Sequence, residues 1–201
     1  MGNAQMKARS DTETVKLYKR YVGTDFNTIQ TNFAKIDFSG DWYQVMTSRS
    51  TGLFGTGIDY SSVKANYSTG ADPNIINVIN SSYDANFNQK SIFGISRARD
   101  NTIPTCRTVK FDVNPIEGDY WIIYVSDDGN TVVVSAPLII PGIPLLLSNN
   151  FGVYVLTRDI SNFWVESNAK TVLAFLRRKG FTQIWNKPVN SSKSLEYLNI
   201  R

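Results

Sequence analysis

The chain has 201 residues, of which 42% are hydrophobic and 19% charged, a composition typical of one globular domain with a sizeable core. Its formal net charge is only +4, and its basic residues are scattered apart from a short run at 177–179, so we expect no nucleic-acid partner. One cysteine excludes an intramolecular disulfide, and the absence of histidine excludes His-based triads and zinc clusters. We therefore expect no cofactor.

The N-terminal segment MGNAQMKARSDTETVK has no apolar run of signal-peptide length. We expect either a mature chain whose leader has been removed or a protein that is not secreted, such as a component of a viral particle. Gly2 is a poor myristoylation site, because the motif requires Ser or Thr where this chain has Met6. The compartment stays open.

Residues 11–36 carry apolar side chains at steps of three and four, which predicts an amphipathic helix with a break at Gly23. The stripe consists of Val15, Tyr18, Val22, Phe26, Ile29, Phe33 and Ile36. We predict a helical extension over residues 1–36, packed on a main domain over residues 37–201.

From Gly40 onward, short segments rich in β-branched and aromatic residues alternate with Gly, Asn, Asp and Pro. Apolar and polar residues alternate strictly at 63–68 and 108–113, which is typical of strands with one buried face. The run DDGN at 127–130 predicts a tight hairpin turn, because Gly and Asn tolerate positive φ. We predict strands near 41–47, 61–68, 75–83, 90–98, 107–113, 119–126, 131–136 and 151–158.

A C-terminal helix is predicted at about 163–179, where apolar residues fall on one helical face. Ser161 or Asn162 is the expected N-cap, and Gly180 follows the basic last turn as the expected end.

Eight successive strands joined by short connections are most economically closed into an antiparallel up-and-down barrel, because closure removes both sheet edges. The predicted fold class is therefore all-β, with the helical extension at one end of the chain and one C-terminal α-helix packed outside. A barrel of this size either fills its interior with side chains or holds one small ligand, and the pattern leaves both outcomes open.

Three segments carry a resemblance to a known family: GDWYQV at 40–45, VKANYS at 63–68 followed by INVINSSYD at 76–84, and LTRD at 156–159. Their order and spacing resemble the lipocalins, most of all the branch of bacterial outer-membrane lipocalins and apolipoprotein D. The resemblance covers about residues 36–187.

The resemblance implies structural roles for Gly40 and Trp42, which open the first strand, and for Arg158, whose guanidinium packs over the Trp ring. In the family's middle signature only Asp127 corresponds, and the Tyr of that signature is missing from SDDGN at 126–130.

If Trp42 points into the barrel, the period of two in a strand directs other side chains inward with it. The resulting wall is apolar with a few hydroxyls and one amide, which suits a fatty acyl chain or another elongated apolar ligand whose polar end is held near the rim. The alternative is a filled core. The predicted ligand-binding residues are Gln44, Met46, Val63, Ala65, Tyr67, Val109, Phe111, Trp121, Ile123, Val134 and Tyr154.

The apolar segment PLIIPGIPLLL at 137–147 is too short to span a bilayer, and its three prolines exclude a regular helix. In lipocalins this connection lies at the open end, beside the one that is STGLFGTGI at 50–58 here. We predict a lid, or a rim that contacts a membrane, a partner or a second copy in a homodimer; the alternative is a satellite core. The rim residues are Leu53, Phe54, Leu138, Ile139, Ile140, Ile143, Leu145 and Leu146.

The leading functional hypothesis is storage or transport of a fatty acid, lysophospholipid or similar lipid, without catalysis. A structural or interaction protein that uses the apolar rim is the alternative. An enzyme would have to depend on Cys106, whose only neighbour in sequence able to lower a thiol pKa is Arg107, so we expect a buried structural thiol instead.

Overall fold

The computed structural model describes residues 10–48, 61–83, 88–113, 117–137, 151–165, 167–181, 183–186 and 197–199. At the N-terminus, helix α1 spans Asp11–Val22, a 3-10 turn spans Gly23–Asp25, and helix α2 spans Phe26–Phe33. Ser10 and Glu13 form a capping box that fixes the start of α1, with the Glu13 N–H donating to Ser10 Oγ at 3.3 Å. Gly23 ends α1 with a φ of 60°, so the predicted break at this glycine is confirmed.

Eight antiparallel strands follow in sequence order, and each pairs with the next. Strand β1 also pairs with β8, from Tyr43 opposite Thr157 to Thr47 opposite Tyr154, so the sheet closes on itself. This confirms the predicted eight-stranded barrel. The strands are β1 Gly40–Ser48, β2 Ser61–Thr69, β3 Ile75–Tyr83, β4 Gln89–Ala98, β5 Cys106–Phe111, β6 Gly118–Val125, β7 Thr131–Pro137 and β8 Phe151–Thr157.

Two helices stand where one was predicted: α3 spans Ile160–Val165 and α4 spans Asn168–Arg178. The start of α3 is capped by Asp159, whose Oδ1 accepts from the Asn162 N–H at 3.0 Å, and not by Ser161 or Asn162 as expected. Tyr124 on β6 and Phe175 on α4 have ring centroids 5.0 Å apart, which places α4 on the outside of the barrel. In the described part of the chain, no helix has the length and apolarity needed to cross a membrane.

Two short strands extend the barrel sheet. Strand β9, Gln183–Asn186, pairs with Met46–Ser48 of β1, and strand β10, Tyr197–Asn199, pairs with β9. Neither strand was predicted from the sequence, because such short segments carry too few residues for a periodic pattern.

The N-terminal helices cover the outer face of the barrel beside β6. The Tyr18 hydroxyl on α1 lies 2.8 Å from the Ile122 carbonyl oxygen and 2.8 Å from Thr105 Oγ1, and Tyr18 is fully buried. On α2, the Asn32 amide donates to the Val125 carbonyl at 3.1 Å. The helical extension therefore adds a second buried layer outside the barrel.

Candidate ligand-binding site

One end of the barrel is closed by Trp42 and Arg158. The Trp42 indole N–H donates to the Phe38 carbonyl at 3.0 Å, and the Arg158 guanidinium carbon lies 4.5 Å from the centroid of the Trp42 ring. Arg158 also donates to the backbone carbonyls of Ser39, at 2.6 Å, and of Asp37. A cation over the indole face, held by backbone acceptors, stabilises the plug at this end.

Gly40 and Asp127 lie at the same closed end. Gly40 has a φ of 96°, and a Cβ there would approach Arg158 Nη1 to 3.6 Å, so a larger residue would be strained before it met the guanidinium. Asp127 in the β6–β7 turn accepts a hydrogen bond from Asn32 Nδ2 at 3.0 Å, which ties α2 to this turn.

A small cavity, with a volume of about 30 Å³, lies inside the barrel. Its wall is mostly apolar, and the polar side-chain atoms belong to two amides, Gln44 and Asn80, and to three tyrosines. Trp42 is directly opposite Ala65 in the β1–β2 ladder, so the cavity and the Trp42 plug share the inner face. The lining residues are Gln44, Val63, Ala65, Tyr67, Asn80, Val109, Phe111, Tyr120, Tyr154 and Leu156.

Seven predicted residues line this cavity, and the structure adds Asn80, Tyr120 and Leu156. Contact of any of them with a ligand stays a prediction. The predicted residues brought together here are Gln44, Val63, Ala65, Tyr67, Val109, Phe111 and Tyr154.

Several polar groups on the cavity wall have unused hydrogen-bonding capacity. Gln44 is 2% exposed, and its Nε2 has no hydrogen-bond partner among the described residues. The same holds for Asn80 Oδ1 within the described ranges. The hydroxyl oxygens of Tyr67 and Tyr120 lie 2.5 Å apart, on strands β2 and β6 respectively.

Arg107 is an inward-facing cation just below the cavity. It is 2% exposed and lies on β5 at the next inward position beyond Val109, opposite Tyr120 in the ladder. Its guanidinium donates to Ser96 Oγ at 2.9 Å and to the carbonyls of Asn74, Ser96 and Pro104 at 2.8, 3.0 and 3.1 Å. Burial lowers the pKa of Arg107 to about 10, so it remains protonated at neutral pH. Arg107 was not among the site residues predicted from the sequence.

A family model described as "Lipocalin-like domain" matches residues 34–139, which is more than half of the chain. The chain belongs to the lipocalin family. Lipocalins are generally binding and transport proteins for small hydrophobic ligands rather than enzymes. No curated protein matches this lipocalin at a significant level.

Solved structures with the same fold include lobster apocrustacyanin A1, with 13% identity and a TM-score of 0.62 over 85% of this chain and 88% of that one. H1 crustacyanin from Homarus americanus is similar at 12% identity and a TM-score of 0.60, over 82% and 87% of the two chains. The siderocalin Ex-FABP is similar at 13% identity and a TM-score of 0.53, over 77% and 95%. At these identities the likeness concerns the fold.

The predicted inward orientation of Trp121 in this lipocalin barrel is wrong, whereas that of Ile123, which does not line the cavity, stays a prediction. Tyr120 lines the cavity, so Trp121 points outward, where its ring centroid lies 5.7 Å from that of Tyr18 on α1. Ile123 occupies a β-bulge between Ile122 and Tyr124, which changes the inward and outward alternation. Because α1 buries the outer face of β6, both faces of this strand are apolar. The sequence pattern therefore does not show which of its residues face inward.

Met46 and Val134 do not line the cavity either. A bulge between Gln44 and Met46 pairs Met46 with Val155, whereas its inward neighbours Gln44 and Thr47 pair with Leu156 and Tyr154. Met46 is therefore turned to the other face, against the prediction. Val134 is directly opposite Tyr154 on the inner face, as predicted, but is not part of the cavity wall.

The predicted rim residues Leu53, Phe54, Leu138, Ile139, Ile140, Ile143, Leu145 and Leu146 lie outside the described residues. The end of β1 lies beside the start of β8, where the Val153 N–H donates to Ser48 Oγ at 3.0 Å. Strands β1 and β7 therefore end, and strand β8 begins, at the barrel end away from Trp42.

Cys106 lies on the outward face of β5, where its ladder partner is Trp121. It is fully buried, and burial, with the charge of Asp119 as a smaller contribution, raises the pKa of the thiol to about 12. At neutral pH almost no thiolate is present, so the thiol lacks the activation that nucleophilic catalysis requires. Within the described ranges, no group of three or more His, Cys, Asp or Glu side chains could hold a metal ion.

Proposed function

We propose that this lipocalin binds and carries an elongated, largely apolar ligand of the fatty-acid or lysophospholipid class in its barrel cavity. The observation that carries the proposal is the cavity inside the barrel, whose wall is apolar except for a few polar atoms. Ligand pockets are typically lined in this way, with a few polar groups that fix the orientation of the ligand.

The enclosed space in this structure has room for about one water molecule, so an acyl chain enters only when side chains of the wall move outward. Burial of ten methylenes contributes about 8 kcal/mol, against an association cost of at least about 4 kcal/mol. Apolar burial therefore supplies most of the affinity, and longer chains extend towards the open end.

The family supports this proposal, and so does one neighbour in fold. The siderocalin Ex-FABP is described as functioning through dual ligand specificities, so a barrel similar to this one serves as a binding site. Placement near the bacterial outer-membrane and apolipoprotein D branch stays a prediction. Peripheral membrane contact or homodimer formation through the apolar rim also stays a prediction.

Displacement of a fluorescent fatty-acid probe by dodecanoate, with native mass spectrometry for stoichiometry, tests the proposal. Ala65→Phe places a ring inside the cavity, whereas Ala71→Phe adds the same atoms at an exposed turn position. We expect one ligand per chain, affinity reduced at least tenfold in Ala65→Phe, and unchanged affinity in Ala71→Phe. Absence of binding by the folded wild type, or equal binding by both variants, would contradict the proposal.

A further inference from the structure

On strands β2 and β5, the inward residues change from apolar to polar with depth. Along β2 they run from Val63 through Ala65 to Tyr67, and Tyr67 is the one nearest the closed end. Along β5 they run from Phe111 through Val109 to Arg107 in the same direction. These two strands therefore place a polar cluster at the deep end of the cavity, whereas the polar groups of Gln44 and Tyr154 lie nearer the open end.

The two tyrosines at the deep end offer a donor that their own contact does not use. Each hydroxyl carries one proton, and the 2.5 Å contact between Tyr67 and Tyr120 uses only one of them. Burial raises the pKa of Tyr67 to about 12 and raises that of Tyr120 as well, so both hydroxyls are protonated at neutral pH. One O–H is left to donate to a ligand in the cavity.

Arg107 gives this end of the cavity a positive charge. All the acceptors of its guanidinium are neutral, namely three backbone carbonyls and the Ser96 hydroxyl. No carboxylate of the described residues forms an ion pair with it, whereas Arg97 on β4 and Arg99 just after β4 each have acidic partners. A buried charge without a counter-ion is costly, so an anion entering the cavity would be stabilised there.

We propose that the deep end of the cavity is a carboxylate subsite, so that the ligand is a linear monocarboxylate bound head first. Its carboxylate accepts the free O–H of the Tyr67–Tyr120 pair and balances the charge of Arg107, and its tail runs past Ala65 and Val109 towards the open end. The Gln44 amide nitrogen, which lacks a partner among the described residues, lies level with Val63, beside the tail and not beside the carboxylate. This inference rests on the proposed function and reverses the orientation expected from the sequence, in which the polar end lay near the rim.

A neutral ligand would fit the cavity differently. Dodecanol can accept the tyrosine hydrogen bond and bury the same methylenes, but it leaves the charge of Arg107 unbalanced. Hydrogen bonds to charged groups are stronger than those between neutral groups, and a further gain comes from charge balance. We therefore expect dodecanoate to bind about ten- to a hundredfold more tightly than dodecanol at pH 7.5.

Competition of dodecanoate and dodecanol against one neutral fluorescent probe tests this preference. The variants are Tyr67→Phe/Tyr120→Phe, which removes both hydroxyls, and Arg107→Gln, with Arg107→Lys to restore the charge. Tyr43→Phe/Tyr124→Phe is the matched control, because Tyr43 and Tyr124 face away from the cavity. We expect the acid preference to fall below about threefold in the first two variants, to persist in the control, and to recover in part with Lys.

The outcomes separate the subsite from the proposed function. Equal affinity for acid and alcohol in the wild type overturns the carboxylate subsite and leaves the proposed function standing. A preference for the acid that survives the loss of both hydroxyls in Tyr67→Phe/Tyr120→Phe also overturns the carboxylate subsite. This result is decisive even if Arg107→Gln does not fold. If the folded wild type binds neither ligand, the proposed function and the subsite both fail.

Discussion

Replacing Arg158 with Ala should destabilise the barrel by about 2–3 kcal/mol. The cation over Trp42, at 4.5 Å from the ring centroid, contributes about 0.5–1 kcal/mol at a partly exposed position. The hydrogen bonds to the carbonyls of Ser39 and Asp37 contribute about 1 kcal/mol each after discounting for solvent exposure. For a chain of this length, such a loss lowers Tm by about 5–10 °C.

Thermal and urea unfolding followed by tryptophan fluorescence measure this effect. Arg20→Ala is the matched control, because Arg20 is exposed on α1 and Arg and Ala have similar helix propensity. If Arg158→Ala and Arg20→Ala unfold at the same urea concentration and temperature, the closing role of the Trp42–Arg158 contact is refuted.

Two further predictions follow from the titrating groups. The rise in the pKa of Cys106 from 9.0 to about 12 makes alkylation at pH 7.5 about a thousandfold slower in the folded chain than in urea, and a rapid reaction of the folded thiol would contradict its burial. For Asp11, burial raises the pKa, but hydrogen bonds and charges from Arg97 and Arg99 outweigh it and hold the pKa below 3.8. This contribution to stability is therefore present above about pH 4 and is lost as the pH falls through the folded-state pKa. Asp11→Asn should lower the free energy of unfolding in urea by up to about 1 kcal/mol at pH 7, a small loss because the ion pair is partly exposed. At pH 2 the loss should be almost nil, and equal losses at the two pH values would refute the ion pair.

The barrel could be predicted from the sequence because β2, β5 and the β6–β7 turn obey local rules. The strands at 63–68 and 108–113 alternate polar and apolar residues, since one of their faces lies inside the barrel. The turn at 127–130 has Gly129 with a φ of 71°, as the DDGN pattern requires.

The inner face of β6 could not be predicted, since α1 buries its outer face and a bulge at Ile123 shifts its register. Neither effect changes the sequence pattern of a strand that is apolar on both faces. The orientation of Met46 was predicted wrongly for the same reason, because the bulge after Gln44 turns Met46 to the other face.

Arg107 was missed although the sequence contained a signal for it. It shares the parity of Val109 and Phe111, both of which were predicted to face inward. An arginine at an inward position of a barrel strand indicates either a buried structural cation or an anion site. In the sequence, Arg107 was considered only as a neighbour of Cys106, and only the structure shows its neutral hydrogen-bond partners.

The most direct test of the binding cavity is a crystal structure of the chain with 12-bromododecanoate, located by the anomalous signal of bromine. We predict the bromine inside the barrel towards the open end, near Val63 and Phe111, with the carboxylate beside the Tyr67–Tyr120 pair. Bromine found only outside the barrel, with the cavity closed by side chains, would contradict the account.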